Sequence, residues 1–227
     1  MSQELIEYLS DFVSTQRLEA FERVLEYRTR YLTVVCENIY QGHNASAVLR
    51  TCDCFGIQDV HIIDSGNSFE INPEVALGAS KWLSLHRYDE PEGDLNNVFN
   101  SLRNRGYRIV AASPHQKGVS LENFDPGKGP AALVLGTEKN GLSPAAMACS
   151  DEFIKIDMYG FTGSFNVSVS AGIILYNLRS RLNSSDISWQ LDECSAEEIK
   201  LEWLRQSIKG SDLIERDFLA KQKHSGR

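Results

Sequence analysis

Much of what this chain can be follows from what it lacks. Among its 227 residues no apolar run approaches the ~20 positions that a membrane helix needs, which excludes a helical membrane-spanning protein. The first residues, MSQELIEYLSDF, carry Glu4, Glu7 and Asp11 and have neither the basic flank nor the apolar stretch of a secretory signal. The five cysteines form no CxxC pair. Cys52 and Cys54 stand one residue apart, which is not a zinc-ligand spacing, and reduced thiols in a cytoplasmic protein are expected. His43, His61, His86, His115 and His224 are scattered without ligand spacing, so no metal is expected. No GxGxxG motif follows an apolar run. Gly136 and Gly141 have the spacing of a phosphate loop, but Leu142 stands where that loop requires Lys. The formal net charge of −8 supplies none of the basic excess that usually marks a polyanion binder.

What is present is ordinary globular material: 42% hydrophobic and 24% charged residues, enough to bury a real core. Three regions differ in pattern. Residues 1–30 have apolar positions at helical spacing (Leu5, Ile6, Leu9, then Leu18, Phe21, Leu25), with Ser14 as a break and helix cap. Residues 31–182 alternate. Runs apolar on both faces at 32–39, 60–63, 109–112, 132–135 and 153–156 are separated by helical segments near 44–55, 94–105, 143–150 and 164–182. That alternation predicts an α/β fold with a mostly parallel sheet covered by helices on both faces. Gly56 and Gly106 fit helix stops. Residues 183–227 predict two further helices, near 196–209 and 211–223, parted at Gly210.

Three segments carry the candidate chemistry. In HNASAVLRTCDCFG, starting at His43, Asn44 is a candidate cap. Arg50 is either an exposed surface charge or a planar fork aimed at a phosphate or carboxylate. In ALVLGTEKNGLS, starting at Ala132, a buried strand ends at Gly136. Glu138, Lys139 and Asn140 then crowd its carboxyl end, where open α/β sheets place ligands, ahead of a helix capped by Ser143. In IKIDMYGFTGSFNVSVSAGIILY, starting at Ile154, a glycine-bearing loop leads through Ser164 and Asn166 into a helix rich in small residues, which permits close backbone approach.

In this order the three segments resemble the SPOUT class of RNA methyltransferases, specifically the SpoU/TrmH-type ribose 2′-O-methyltransferases, over about residues 31–182. HNASAVLRTCD is similar to the branch acting on guanosine 18 of tRNA. The resemblance implies a trefoil knot on the C-terminal side of the fold, S-adenosyl-L-methionine as methyl donor, and a cytoplasmic homodimer whose active sites draw on both subunits. By position it implies a cofactor pocket at Ala112, Ser113, Leu135, Gly136, Ile156, Met158 and Phe165, and a catalytic set of Arg50, Asn44, Glu138, Ser164 and Asn166.

The family's proposed base is the arginine at the Arg50 position. A guanidinium is essentially never neutral in proteins, so two roles stay open: a clamp on the phosphate beside the target ribose, or a base after rearrangement. The short helical arm in place of a larger RNA-binding domain favours tRNA, with RNA contacts expected from Arg17, Arg23, Arg28, Arg30, Arg179 and Arg181. The alternatives are another tRNA or rRNA ribose, and a non-catalytic RNA-binding dimer of the same fold. The expected organisation is an N-terminal arm (1–30), a methyltransferase domain (31–182) and a C-terminal helical extension (183–227).

Overall fold

A computed structural model describes residues 2–39, 41–64, 71–88, 94–114 and 118–225. The chain forms two compact units, one of residues 29–189 and one joining 1–28 to 190–227.

The larger unit is built on a seven-stranded sheet. Its strands are β1 (Leu32–Glu37), β2 (Asp59–Ile63), β3 (Ser84–Tyr88), β4 (Arg108–Ala112), β5 (Val119–Ser120), β6 (Ala131–Leu135) and β7 (Glu152–Lys155). They lie in the order β3-β2-β1-β6-β4-β7-β5, every pair parallel. Five of the seven coincide with the apolar runs. β3 (SLHRY) is an edge strand, half-buried with a polar sequence, and β5 has only two residues, so neither shows the doubly apolar signature of an interior strand.

Successive side chains of a strand face opposite sides, and here both sides are filled. Leu133 and Leu135 of β6 and Val34 and Cys36 of β1 pack with the helices α3 (Gly42–Cys54) and α7 (Val167–Asn183). Ala132, Val134 and Val35 face the other way, beneath α5 (Asp94–Asn104) and α6 (Pro144–Ala148). A four-residue helix, α4 (Pro73–Ala76), lies between β2 and β3 and was not expected. Gly56 and Gly106 adopt φ of 71° and 88°, the left-handed conformation of the expected helix stops.

The other unit is helical: α1 (Ser2–Ser10), α2 (Thr15–Leu25), α8 (Glu193–Ser207) and α9 (Ser211–Ser225). Ser14 caps α2, as its position predicts. Trp203 is buried between the Phe21 ring, 5.4 Å away, and the Arg28 guanidinium, also at 5.4 Å. His115 and the side chain of His224 lie outside the described residues.

His61 and His86 stack at 4.6 Å on neighbouring strands, beneath the buried carboxylate of Asp59. Asp59 accepts from His86 Nε2 at 2.8 Å and from Arg30 Nε at 3.0 Å, while His61 Nδ1 meets the Tyr88 hydroxyl at 3.0 Å. Burial, reinforced by the charge of His86, pushes His61 from the ordinary 6.5 down to about 3. Burial alone would raise Asp59, but the hydrogen bond from His86 and the Arg30 charge outweigh it and hold the carboxyl below its usual value. Below pH 6.5 the unfolded chain therefore takes up a proton at His61 that the folded chain refuses until about pH 3. Denaturant titrations at stepped pH are expected to show stability falling as pH drops through this window, by up to about 1.4 kcal/mol per pH unit from His61. His61→Gln is expected to flatten that slope. A wild-type stability independent of pH between 6.5 and 4 would contradict this assignment.

Candidate active site

Four loops leave the carboxyl ends of β1, β4, β6 and β7, and between them they form the site. The loop after β6 is the most constrained. Thr137 and Gly141 exchange two backbone hydrogen bonds, at 3.0 and 2.9 Å, which closes a tight turn. A Cβ on Gly136 would lie 2.3 Å from the Gly141 carbonyl oxygen, so only glycine allows the turn to fold back onto the strand end. Gly141 supplies φ of 68°. Glu138, Lys139 and Asn140 are left at the exposed tip, and Ser143 caps α6 through the amide of Ala146 at 3.0 Å.

The helix α7 begins at Val167, three residues later than the pattern predicts, because Asn166 is its cap: its Oδ1 accepts from the amide of Ser168 at 2.8 Å. That leaves the Asn166 Nδ2 group available for other partners. It donates to Asn44 Oδ1 at 3.0 Å and to Glu138 Oε1. Asn44 in turn donates to Gln41 Oε1 at 2.8 Å. Asn44 is therefore not the cap of α3. The cap position is Gln41, and Asn44 lies one turn inside, buried, facing the loops. The polar cluster thus joins residues 122 positions apart in the chain.

Beside the cluster lies a cavity of about 400 Å³. All seven expected cofactor residues, Ala112, Ser113, Leu135, Gly136, Ile156, Met158 and Phe165, line it, and so do Glu138 and Ser164. A smaller cavity of about 190 Å³ shares Thr137, Glu138, Lys139 and Val167 with it and adds Asn38, Gln41 and Asn44. Gln41, Thr137 and Asn38 went unnoticed in the sequence; the signal for the last was its place as a polar residue near the end of the apolar run 32–39, with φ of 55° in the structure.

Arg50 is not part of this cluster. Six residues beyond Asn44 on a helix, it points roughly 120° away from it. It is exposed, lines neither cavity and has no hydrogen-bond partner among the described residues. The expected RNA-contacting arginines divide. Arg17 and Arg23 are exposed. Arg28 and Arg179 are buried, the latter with its guanidinium 3.9 Å from the centre of the Trp189 ring, so both serve packing instead. Arg30 is committed to Asp59, and Arg181 donates to the Leu121 carbonyl at 3.2 Å. Among the described residues no three His, Cys, Asp or Glu side chains gather as a metal site.

A ligand-sized cavity outside the carboxyl ends of a parallel sheet, walled by polar side chains from three loops, defines an α/β protein that acts on a small molecule at the point where its strand order reverses. The family model described as SpoU rRNA Methylase matches residues 31–176, and the chain belongs to this family. It is 39% identical to a tRNA (guanosine(18)-2′-O)-methyltransferase of Borreliella burgdorferi, over 91% of this chain and 93% of the relative. It is 34% identical to the enzyme of the same description from Thermus thermophilus, over 84% and 96%. Among solved structures, the A. aeolicus TrmH/SpoU tRNA modifying enzyme superimposes with a TM-score of 0.74 at 33% identity, covering 86% of this chain and 98% of that one.

Asn166 serves both as helix cap and as cross-link, and substitution separates the two. Asn166→Ser keeps a good cap but deletes the amide that reaches Asn44 and Glu138. Its melting temperature is expected to stay close to wild type. Methyl-transfer turnover is expected to fall about 10- to 100-fold, the loss of one hydrogen bond to a charged group. Turnover and thermal unfolding measured on one preparation decide it, and a variant with normal turnover would show the cross-link to be dispensable.

Proposed function

We propose that this protein transfers a methyl group from S-adenosyl-L-methionine to a ribose 2′-hydroxyl of tRNA, at guanosine 18 of the D-loop. The observation that carries the reading is the hydrogen-bonded convergence of Asn44, Glu138 and Asn166, from three distant segments, beside a ligand-sized cavity that Glu138 lines. The relatives that share nearly its full length bear that description and give the reading its substrate.

The lining of the cavity suits the donor. Leu135, Ile156, Met158 and Phe165 offer apolar surface to a purine, and the glycine turn offers backbone groups at close range. Bound there, the donor supplies a methyl group already activated by a sulfonium charge, without need of a metal. The protein's own part is positioning and proton handling. Asn166 holds the Glu138 carboxylate against the end of α7, so that a negative group borders the cavity at a fixed place. Ser164, on the cavity wall, orients the ribose or its phosphate.

Arg50 fits the phosphate-clamp role through its planar fork. Its exposure on the outside of α3 favours delivery to the site of a second copy, so that the active form is a homodimer with composite sites. Tyr176, 65% exposed on α7 and in ring contact with Phe55 at 6.3 Å, gives the same region an apolar surface for such a contact. The strand order supports a trefoil knot: β6 enters between β1 and β4, and β7 between β4 and β5. In this reading residues 31–182 form the methyltransferase domain. The flanking helices of 1–30 and 183–227, with exposed Arg17 and Arg23, meet the RNA. The five cysteines form no disulfide, which accords with a cytoplasmic setting.

Tritiated methyl transfer into total RNA, followed by mapping of the labelled nucleotide, tests the proposal. Label is expected at guanosine 18 of tRNA. No incorporation would overturn the enzyme reading, and label confined to rRNA would overturn the tRNA reading. Arg50→Lys keeps the charge and loses the fork. Its turnover is expected to drop at least about tenfold, and near-normal turnover would rule out both roles considered for Arg50.

A further inference from the structure

Glu37, the last residue of β1, is 2% exposed. A carboxylate taken out of water is costly unless it is paired or hydrogen-bonded, and no cation lies against Glu37 among the described residues. Its Oε2 accepts from the backbone amide of Ser143, 106 residues further along the chain, at 2.8 Å. Ser143 is the downstream end of the turn that carries Glu138 and walls the cavity. The upstream end is fixed by the fit of Gly136 against Gly141. Between them Leu142 packs on the core beneath α6. The next residue after Glu37, Asn38, is held in the left-handed region, its amide donating to the Ile63 carbonyl at 2.9 Å, and it lines the smaller cavity.

We propose that Glu37 is a positioning residue: by gripping the Ser143 amide it locks the 136–143 turn, and through that turn it sets the affinity of the cavity for the methyl donor. The inference rests on the function proposed above. A single buried acceptor at the end of a central strand is the most rigid anchor available to a loop that otherwise runs over the surface. The carboxylate suits this place better than an amide, because it presents acceptors only and brings no N–H group that would need a partner of its own.

Two readouts test it on the full chain. Amide hydrogen exchange at Ser143 reports the grip itself. Calorimetric binding of S-adenosyl-L-methionine reports its consequence. In Glu37→Ala, Ser143 is expected to lose protection and donor affinity to fall about tenfold or more, the usual penalty for removing a supporting partner of a ligand-holding group. Glu37→Gln retains one acceptor and is expected to recover most of both; should the alanine variant fail to fold, Glu37→Met, which fills the same space without an acceptor for the Ser143 amide, takes its place with the same expected losses. Unchanged donor affinity in Glu37→Ala with rapid exchange at Ser143 would show that the grip is only structural. Unchanged protection at Ser143 would show that Glu37 does not hold the turn at all. If the wild-type protein binds no S-adenosyl-L-methionine, the functional reading fails, and the exchange result still decides whether Glu37 anchors the loop.

Discussion

One amide group, that of Asn166, has to meet two demands. Its oxygen ends the unsatisfied first turn of a 17-residue helix, and its nitrogen ties that helix to Asn44 on α3 and to Glu138 after β6. No other side chain does both equally well. An aspartate would cap but would place a second carboxylate against Glu138, and a serine would cap without reaching across. Because the cap fixes the position of Asn166 to the helix backbone, and the helix is packed against the sheet through Ile174, Leu175 and Leu178, the cluster inherits the rigidity of the core. The site is in this sense an extension of the packing of α7.

The β6 turn obeys a similar economy. Its shape follows from excluded volume at Gly136 and from the reciprocal hydrogen bonds of Thr137 and Gly141, and its charged residues appear only at its tip. A loop held at both ends can present a carboxylate at a fixed place while remaining on the surface, which is what a binding site on a loop requires.

The acidic balance of the chain sits oddly beside a nucleic-acid substrate, and the structure sharpens the point. Of the six arginines that the sequence offered as RNA contacts, two are buried against tryptophan rings and two are engaged by Asp59 and a backbone carbonyl. The number of basic residues is thus a poor measure of a phosphate-binding surface. What counts is how many guanidinium groups remain after packing has taken its share, and a composite site between two copies would bring Arg50 of one chain to RNA bound by the other.

Local patterns were enough to determine the parallel α/β architecture, five of its strands, the caps at Ser14 and Ser143, the glycine stops, and the order of three polar segments that gave the family away. These are readable because strand and helix periodicity, cap chemistry and left-handed glycines are written into a few neighbouring residues. The edge strand β3 was missed because half-exposed strands can be polar, and Asn44 was mistaken for a cap because its true role depends on a partner 122 positions distant. Only the tertiary structure decided that Arg28 and Arg179 are buried, that Arg50 faces away from the cluster, and that Glu37 reaches Ser143. The physical reason is the same in each case: which way a side chain points is settled by burial and by hydrogen bonds between segments far apart in the chain, and no window of neighbouring residues contains that information.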